Sequence, residues 1–236
     1  MAVALTPQHV QKTAERLHRR VLERFPDSDL AKVAAEVVRA AAESDRRSTE
    51  LARPNHPLRA LTWILGAALA CGVAAGFLRF RTLQGFTTFA ELVQGAEAGA
   101  NLTVLLGAAI LSTARLETHL RRKRALAAVL ALKNLAHVVD MHQLTKNPEA
   151  VLNPAPDTPS SPKRTLTRGE LGRYLDYCSE MLSLIGKTAA IYGQRLDDPV
   201  VLEAVDSAED LATGLSRKIW QKIAILLERE RGAAAA

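Results

Sequence analysis

Two histidines, an aspartate and a methionine fall within six residues of the stretch "LAHVVDMHQLTKNP", Leu135 to Pro148. Side chains of these types hold transition metals or move protons. Each residue of an α-helix turns about 100°, so His137 shares a face with Asp140 and Met141. His142 lies five residues beyond His137 and points about 140° away from it. On one helix His137, Asp140 and His142 cannot converge on an ion, and a metal site here needs a second helix or subunit. His137 also falls on a row at helical spacing: Ala127, Leu130, Asn134, His137, Met141 and Leu144. That row predicts a buried face with His137 as a hydrogen-bonded core residue. Lys146 is expected to complement the negative end of the helix dipole, and Asn147-Pro148 to stop the helix.

Other motifs carry less chemistry. "LIGKTAA", Leu184 to Ala190, ends like a phosphate-binding loop, but Met181 stands where the motif's first glycine belongs. The run also sits inside a helical pattern, whereas the motif needs a free loop whose amides reach phosphate. The two cysteines form no paired framework: Cys71 lies in an uncharged run and Cys178 on an apolar seam. No serine–histidine–acid or cysteine–base arrangement can be picked out. The residues point to a non-enzymatic protein without a cofactor or a metal.

The elements that carry these residues are legible in the hydrophobic pattern. "ALTWILGAALACGVAAGFL", Ala60 to Leu78, contains no charge and reaches roughly 28 Å as a helix, close to a bilayer core of about 30 Å. "AGANLTVLLGAAILSTA", Ala98 to Ala114, is long enough if its helix begins near Phe89. A buried hairpin of a soluble protein is the alternative. The flanks favour a membrane: Arg46, Arg47, Arg53 and Arg59 precede the first run, and Arg115, Arg121, Arg122, Lys123 and Arg124 follow the second. Only Arg79 and Arg81 lie between them, so the positive-inside rule puts both termini in the cytoplasm, as in a bacterial inner membrane. Trp63, Phe77, Phe80, Phe86 and Phe89 suit the interfaces. The charged segment ahead of Ala60 does not read as a cleavable signal peptide.

Within the spans, Gly72-Val-Ala-Ala-Gly76, extended backward by Gly66 and Ala68, is expected to pack against another span. Gln94, Glu97 and Asn101 follow three-four spacing, with Ala108 and Ser112 farther along the stripe. Such a stripe faces water or another protomer, unless Glu91, Gln94 and Glu97 sit at the outer headgroups and only Asn101 is inside. The second arrangement is the simpler expectation. Arg121, Arg122, Lys123 and Arg124 are placed to contact anionic headgroups, in keeping with a formal charge of +6. No aromatic platform accompanies them, so nucleic acid is not an expected partner.

The remaining chain organises around helical signals. Residues 1–57 read as N-terminal cytoplasmic helices, opening at Thr6-Pro7 and capped again between Asp27 and Asp29. A two-span hairpin occupies 58–114, and 115–147 continues its second helix into the cytoplasm. A Pro/Ser-rich linker covers 148–166, and a helical hairpin covers 167–231, begun by the capping-box spacing of Thr167 and Glu170. Residues 232–236 read as a disordered tail. Leu171, Leu175, Cys178, Leu182, Ile185, Ala189, Tyr192 and Leu196 alternate steps of four and three, as do Val201, Val205, Ala208, Ala212, Leu215 and Ile219. Two such rows joined by a short turn at Asp198-Pro199 predict antiparallel, coiled-coil-like packing. Trp220 beside Ile219 widens that buried face, or else forms a partner surface with Lys218 and Lys222. The expectation is an all-α membrane protein: a two-span transmembrane helical hairpin with an antiparallel cytoplasmic bundle. It would act as a self-associating membrane-anchored scaffold or signalling protein with a protein partner. The rival expectation is an oligomeric channel or pore-forming effector.

Overall fold

A computed structural model describes residues 5–82, 89–152, 156, 158–161 and 165–234. It is all-helical, with no strand among the described residues. The helices are α1 (Pro7–Arg24), α2 (Asp29–Ala52), α3 (His56–Thr82), α4 (Phe89–Leu144), α5 (Pro148–Leu152), α6 (Arg168–Arg195) and α7 (Pro199–Ala234). They form two compact units: Met1–Ala52 with Arg124–Ala236, and Arg53–Lys123.

The first unit is a helical bundle with α6 at its centre, in contact with α1, α2, α5 and α7. Its predicted seam is buried from Leu171 to Tyr192, and the seam of α7 is buried throughout. Because α6 is surrounded, it also buries Tyr174, Tyr177, Met181, Leu184, Thr188 and Ile191, well beyond one heptad stripe. α7 faces the bundle on one side only, and its stripe continues through Ile223 and Leu226. Small residues set the spacing of the α6–α7 pair. A Cβ on Gly186 would lie 3.6 Å from Ala212 Cβ and 3.9 Å from Glu209 Cα, and one on Gly193 only 3.3 Å from Leu202.

The helix starts follow local chemistry. The Thr167 hydroxyl accepts from Glu170 N while the Glu170 carboxylate accepts from Thr167 N, closing the reciprocal capping box. Asp198 Oδ1 accepts from Val200 N and Val201 N ahead of Pro199. Between α1 and α2 the cap is Ser28, whose hydroxyl accepts from Ala31 N and donates to Phe25 O. Asp27 there has φ 57, a left-handed conformation that turns the chain. Phe25 anchors the turn edge-on against Tyr174 and Tyr177.

Three sequence expectations change. α4 buries Ala125, Ala128, Val129, Leu132, Ala136, Val139 and Gln143, while Ala127, Leu130, Asn134, His137, Met141 and Leu144 are exposed. The expected row is the wrong face because α4 carries two apolar rows, and the bundle takes the one with smaller side chains. The linker begins with a short helix, α5, whose Asn147 side chain caps Glu149 N and whose Val151 and Leu152 pack on the core. Helix α7 runs to Ala234, through most of the expected tail. Part of the linker (153–155, 157 and 162–164), Phe86 and the side chains of Arg79, Phe80, Arg81 and Glu91 lie outside the described residues.

In the second unit, α3 and the first part of α4 are long and apolar enough to cross a membrane. None of either apolar window is buried within the molecule. The buried-hairpin alternative needs those residues enclosed, and within this chain they are not.

Candidate functional site

Two polar clusters and several exposed surfaces are the candidates, each within a single unit. The first cluster is built on Glu117, one turn beyond the apolar part of α4. Its carboxylate accepts from Asn55 N at 3.1 Å, where Asn55 stands just before the first residue of α3. It therefore ties α4 to the backbone at the start of α3. Arg121, four residues on, pairs with the same oxygen and also donates to Arg53 O at 2.9 Å; Arg59 Nε lies 3.6 Å from Glu117. The Asn55 amide, then the charges of Arg121 and Arg59, hold the Glu117 carboxyl below its usual range. Two arginines on one carboxylate leave the cluster cationic. It binds helix to helix and has no group free to act as a base.

The expected basic strip is thus divided. Arg121 belongs to this cluster and Arg122 is half-buried, while Lys123 and Arg124 are exposed. Of the glycines, a Cβ on Gly72 would meet Leu102 of α4 at 3.8 Å, whereas Gly66 and Gly76 have nothing within 4 Å. Of the three, only Gly72 stands in contact distance of α4. Gln94, Glu97 and Asn101 are all exposed.

The second cluster sits where α4 ends. Lys222 of α7 donates to the Gln143 side-chain oxygen, to Gln143 O at 3.0 Å and to Lys146 O at 3.4 Å. Gln143 in turn donates to Asp140 Oδ1 at 2.6 Å. Lys222 is consequently a C-terminal cap on α4 reached from another helix, and not part of a surface patch with Lys218 and Trp220. Burial lowers its pKa, only partly offset by the charge of Asp140. Lys146, expected at the dipole, instead lies 5.3 Å over the Tyr174 ring. Tyr174 donates its hydroxyl to His142 O at 3.4 Å, and burial raises its pKa. Nearby Cys178 has its thiol pushed up to about 12 by burial. It stays protonated at neutral pH and is inert as a nucleophile.

The structure keeps His137, Asp140 and His142 apart as possible ligands. His137 is exposed, His142 is half-buried, and Asp140 is engaged with Gln143. Among the described residues no three of His, Cys, Asp or Glu gather as a metal site would require. Trp220 is 54% exposed and does not widen the buried face; Lys218 beside it is exposed too. Trp220 closes one end of a groove of about 460 Å³ whose floor is the Gly186–Ala212 approach and whose rim carries Lys187, Glu209 and Arg217. Sequence reasoning missed Glu117 and Gln143. The i,i+4 spacing of Glu117 and Arg121 beside an apolar run was a usable signal for the first. Compared with protein-family models, curated proteins and solved structures, the chain matches none.

Proposed function

We propose that this chain is a non-enzymatic, self-associating membrane protein: α3 and the apolar part of α4 anchor it, and the bundle meets a protein partner. One observation carries the proposal. The apolar windows of two membrane-length helices in the second unit are wholly unburied, while most apolar residues of the first unit are packed into a core. Outward apolar faces of that length are stable in lipid and costly in water. The arginine-rich flanks favour cytoplasmic termini, as in a bacterial inner membrane, and Lys123 and Arg124 are available to anionic headgroups. Exposed Trp220 with Lys218 suits a protein partner, since large aromatics beside cations are common interface anchors.

The test is biochemical. Full-length protein expressed in bacteria is expected to stay in the pellet after alkaline carbonate extraction and to run as an oligomer in mild detergent. Monomeric behaviour, with nothing reproducibly recovered by pull-down from membranes, overturns the proposal.

One observation favours a second reading. Gln94, Glu97 and Asn101 are exposed on an otherwise apolar helix, and in lipid such groups seek water or a partner. Assembled copies would then line a channel. Ion flux in liposomes, lost in Asn101→Leu or Glu97→Leu, supports the channel; absence of flux leaves the anchored scaffold.

A further inference from the structure

The part of α4 that belongs to the bundle carries two apolar rows on opposite faces. Leu130 and Leu132, or Val139 and Met141, are two residues apart and so about 200° around the helix. One row is buried against the bundle; on the other, Leu130, Met141 and Leu144 are 58%, 60% and 62% exposed. The exposed row runs Ala127, Leu130, Asn134, His137, Met141, Leu144, in steps of three and four. That is a coiled-coil seam: Ala127, Asn134 and Met141 take one core position, and Leu130, His137 and Leu144 the other.

We propose that this seam pairs with the same seam of a second copy, as a parallel two-stranded coiled coil. The proposal deepens the membrane reading and rests on it. Two features select a second copy over an unrelated helix. First, two polar residues interrupt the middle of the row. An unrelated apolar helix would leave Asn134 and His137 unmatched, whereas an in-register copy sets Asn134 against Asn134 and His137 against His137. A single core asparagine in the first of these positions favours parallel, in-register dimers because its amide is satisfied only by its own counterpart. Second, copies anchored by the same spans share one chain direction across the bilayer, so their α4 helices run parallel without further constraint.

The size of the seam explains why the membrane matters. Six residues per chain fall well short of the roughly 20–30 a side of a standard stable interface. Confinement to one plane raises the effective concentration and supplies what the contacts lack. Nothing in the bundle needs to move, because this face of α4 is already bare.

The experiment uses full-length protein in native membranes with Cys71→Ser, leaving Cys178 buried and unreactive. In this background Asn134→Cys is expected to form a disulfide-linked dimer on mild oxidation. Glu203→Cys, at an exposed position of α7, is expected to remain monomeric. Leu130→Glu and Met141→Glu are expected to weaken dimerisation on the order of tenfold or more, since a charge at a seam position opposes its own copy. Both positions are exposed within one chain, so the thermal midpoint of the bundle should not change; an unchanged midpoint with lost dimers supports the seam. Release of the protein by alkaline carbonate overturns the membrane reading and the parallel seam with it. Retention in the membrane, without cross-linking at Asn134→Cys and with oligomers unaffected by Leu130→Glu, overturns the seam alone.

Discussion

Leu182 and Leu105 are the same residue in two long helices, yet Leu182 is fully buried and Leu105 is 68% exposed. Around Leu182, α6 alternates apolar positions with Glu180, Ser183 and Lys187, so the helix has faces to bury and a rim to solvate. Around Leu105 the helix is apolar on every side, from Leu102 to Leu111. A helix apolar all round is stable inside a large core or inside a bilayer, and no core of this molecule encloses it. The comparison teaches that hydrophobicity alone does not give direction. Periodicity turns it inward in the bundle, and the lack of periodicity leaves it outward in the second unit, where the proposed lipid takes the place of a core.

The largest expected effect breaks this comparison directly. Leu182→Ala removes a side chain from a packed site and should cost about 2–5 kcal/mol of bundle stability. Leu105→Ala should change it by less than about 0.5 kcal/mol, as for an exposed position. All three tyrosines, Tyr174, Tyr177 and Tyr192, lie on α6, and of the two tryptophans only Trp63 lies outside the bundle unit. Near-UV circular dichroism of the full chain in detergent therefore reports the bundle in a Trp63→Phe background. Equal losses for the two variants would refute the division into differently solvated units. The comparison is sharpened next by charge. Leu105→Arg should disfavour insertion by about 2.5–3.5 kcal/mol if that residue lies mid-bilayer, read as a loss of carbonate-resistant protein. The same substitution at Leu130, also exposed but in the bundle unit, should leave carbonate resistance intact. Matching losses would mean that exposure, not lipid, sets the response.

Most of the architecture was legible in the sequence where one signal dominated. The α6 and α7 seams stood out because each helix has a single run of four-three steps between charged residues, and the helix starts because Thr167, Asp198 and the prolines are local signals. The register of α4 was not legible. The larger side chains, Leu130, Met141 and Leu144, advertise one row, but the bundle needs small ones such as Ala125, Ala128 and Ala136 where helices come close. Gln143 also disguised the buried row, since a buried polar residue is credible only with its partner known. That partner, Lys222, is 79 residues away along the chain. The stretch around His137 and Asp140 looked chemical for the same reason: without the bundle, nothing showed that its polar groups close the end of a helix.

Lys222 gives the third way to test the contrast, by asking how far the bundle's inward character depends on satisfied polar groups. Lys222→Met keeps the bulk of the stem but removes the donor to the Gln143 side-chain oxygen and to Lys146 O, while Gln143 O keeps the Lys146 amide. A loss of about 1–3 kcal/mol is expected from such unpaired groups. The pH dependence fixes the sign. Burial lowers the Lys222 pKa in the folded state, so between that value and the ordinary 10.5 the unfolded chain binds more protons. Stability attributable to this residue therefore rises with pH across that window, and below it is flat. Lys222→Met should remove the rise; an unchanged alkaline limb would show that the ammonium is not enclosed.

The smallest effect concerns the surface end of α6, where the bundle meets water. Thr167→Ala removes one half of the capping box and should cost about 1 kcal/mol. The other half titrates: hydrogen bonds from the Thr167 amide and hydroxyl lower the Glu170 pKa below its ordinary 4.5. Its contribution is present above that ordinary value and is lost as pH falls through the lowered one. Glu170→Gln should therefore flatten the acid limb of bundle unfolding. It should leave carbonate resistance unchanged, because Glu170 lies in the bundle and has no role in the helices proposed to hold the membrane. A membrane defect from this change would mean that the two regions are not independent in the way their opposite faces imply.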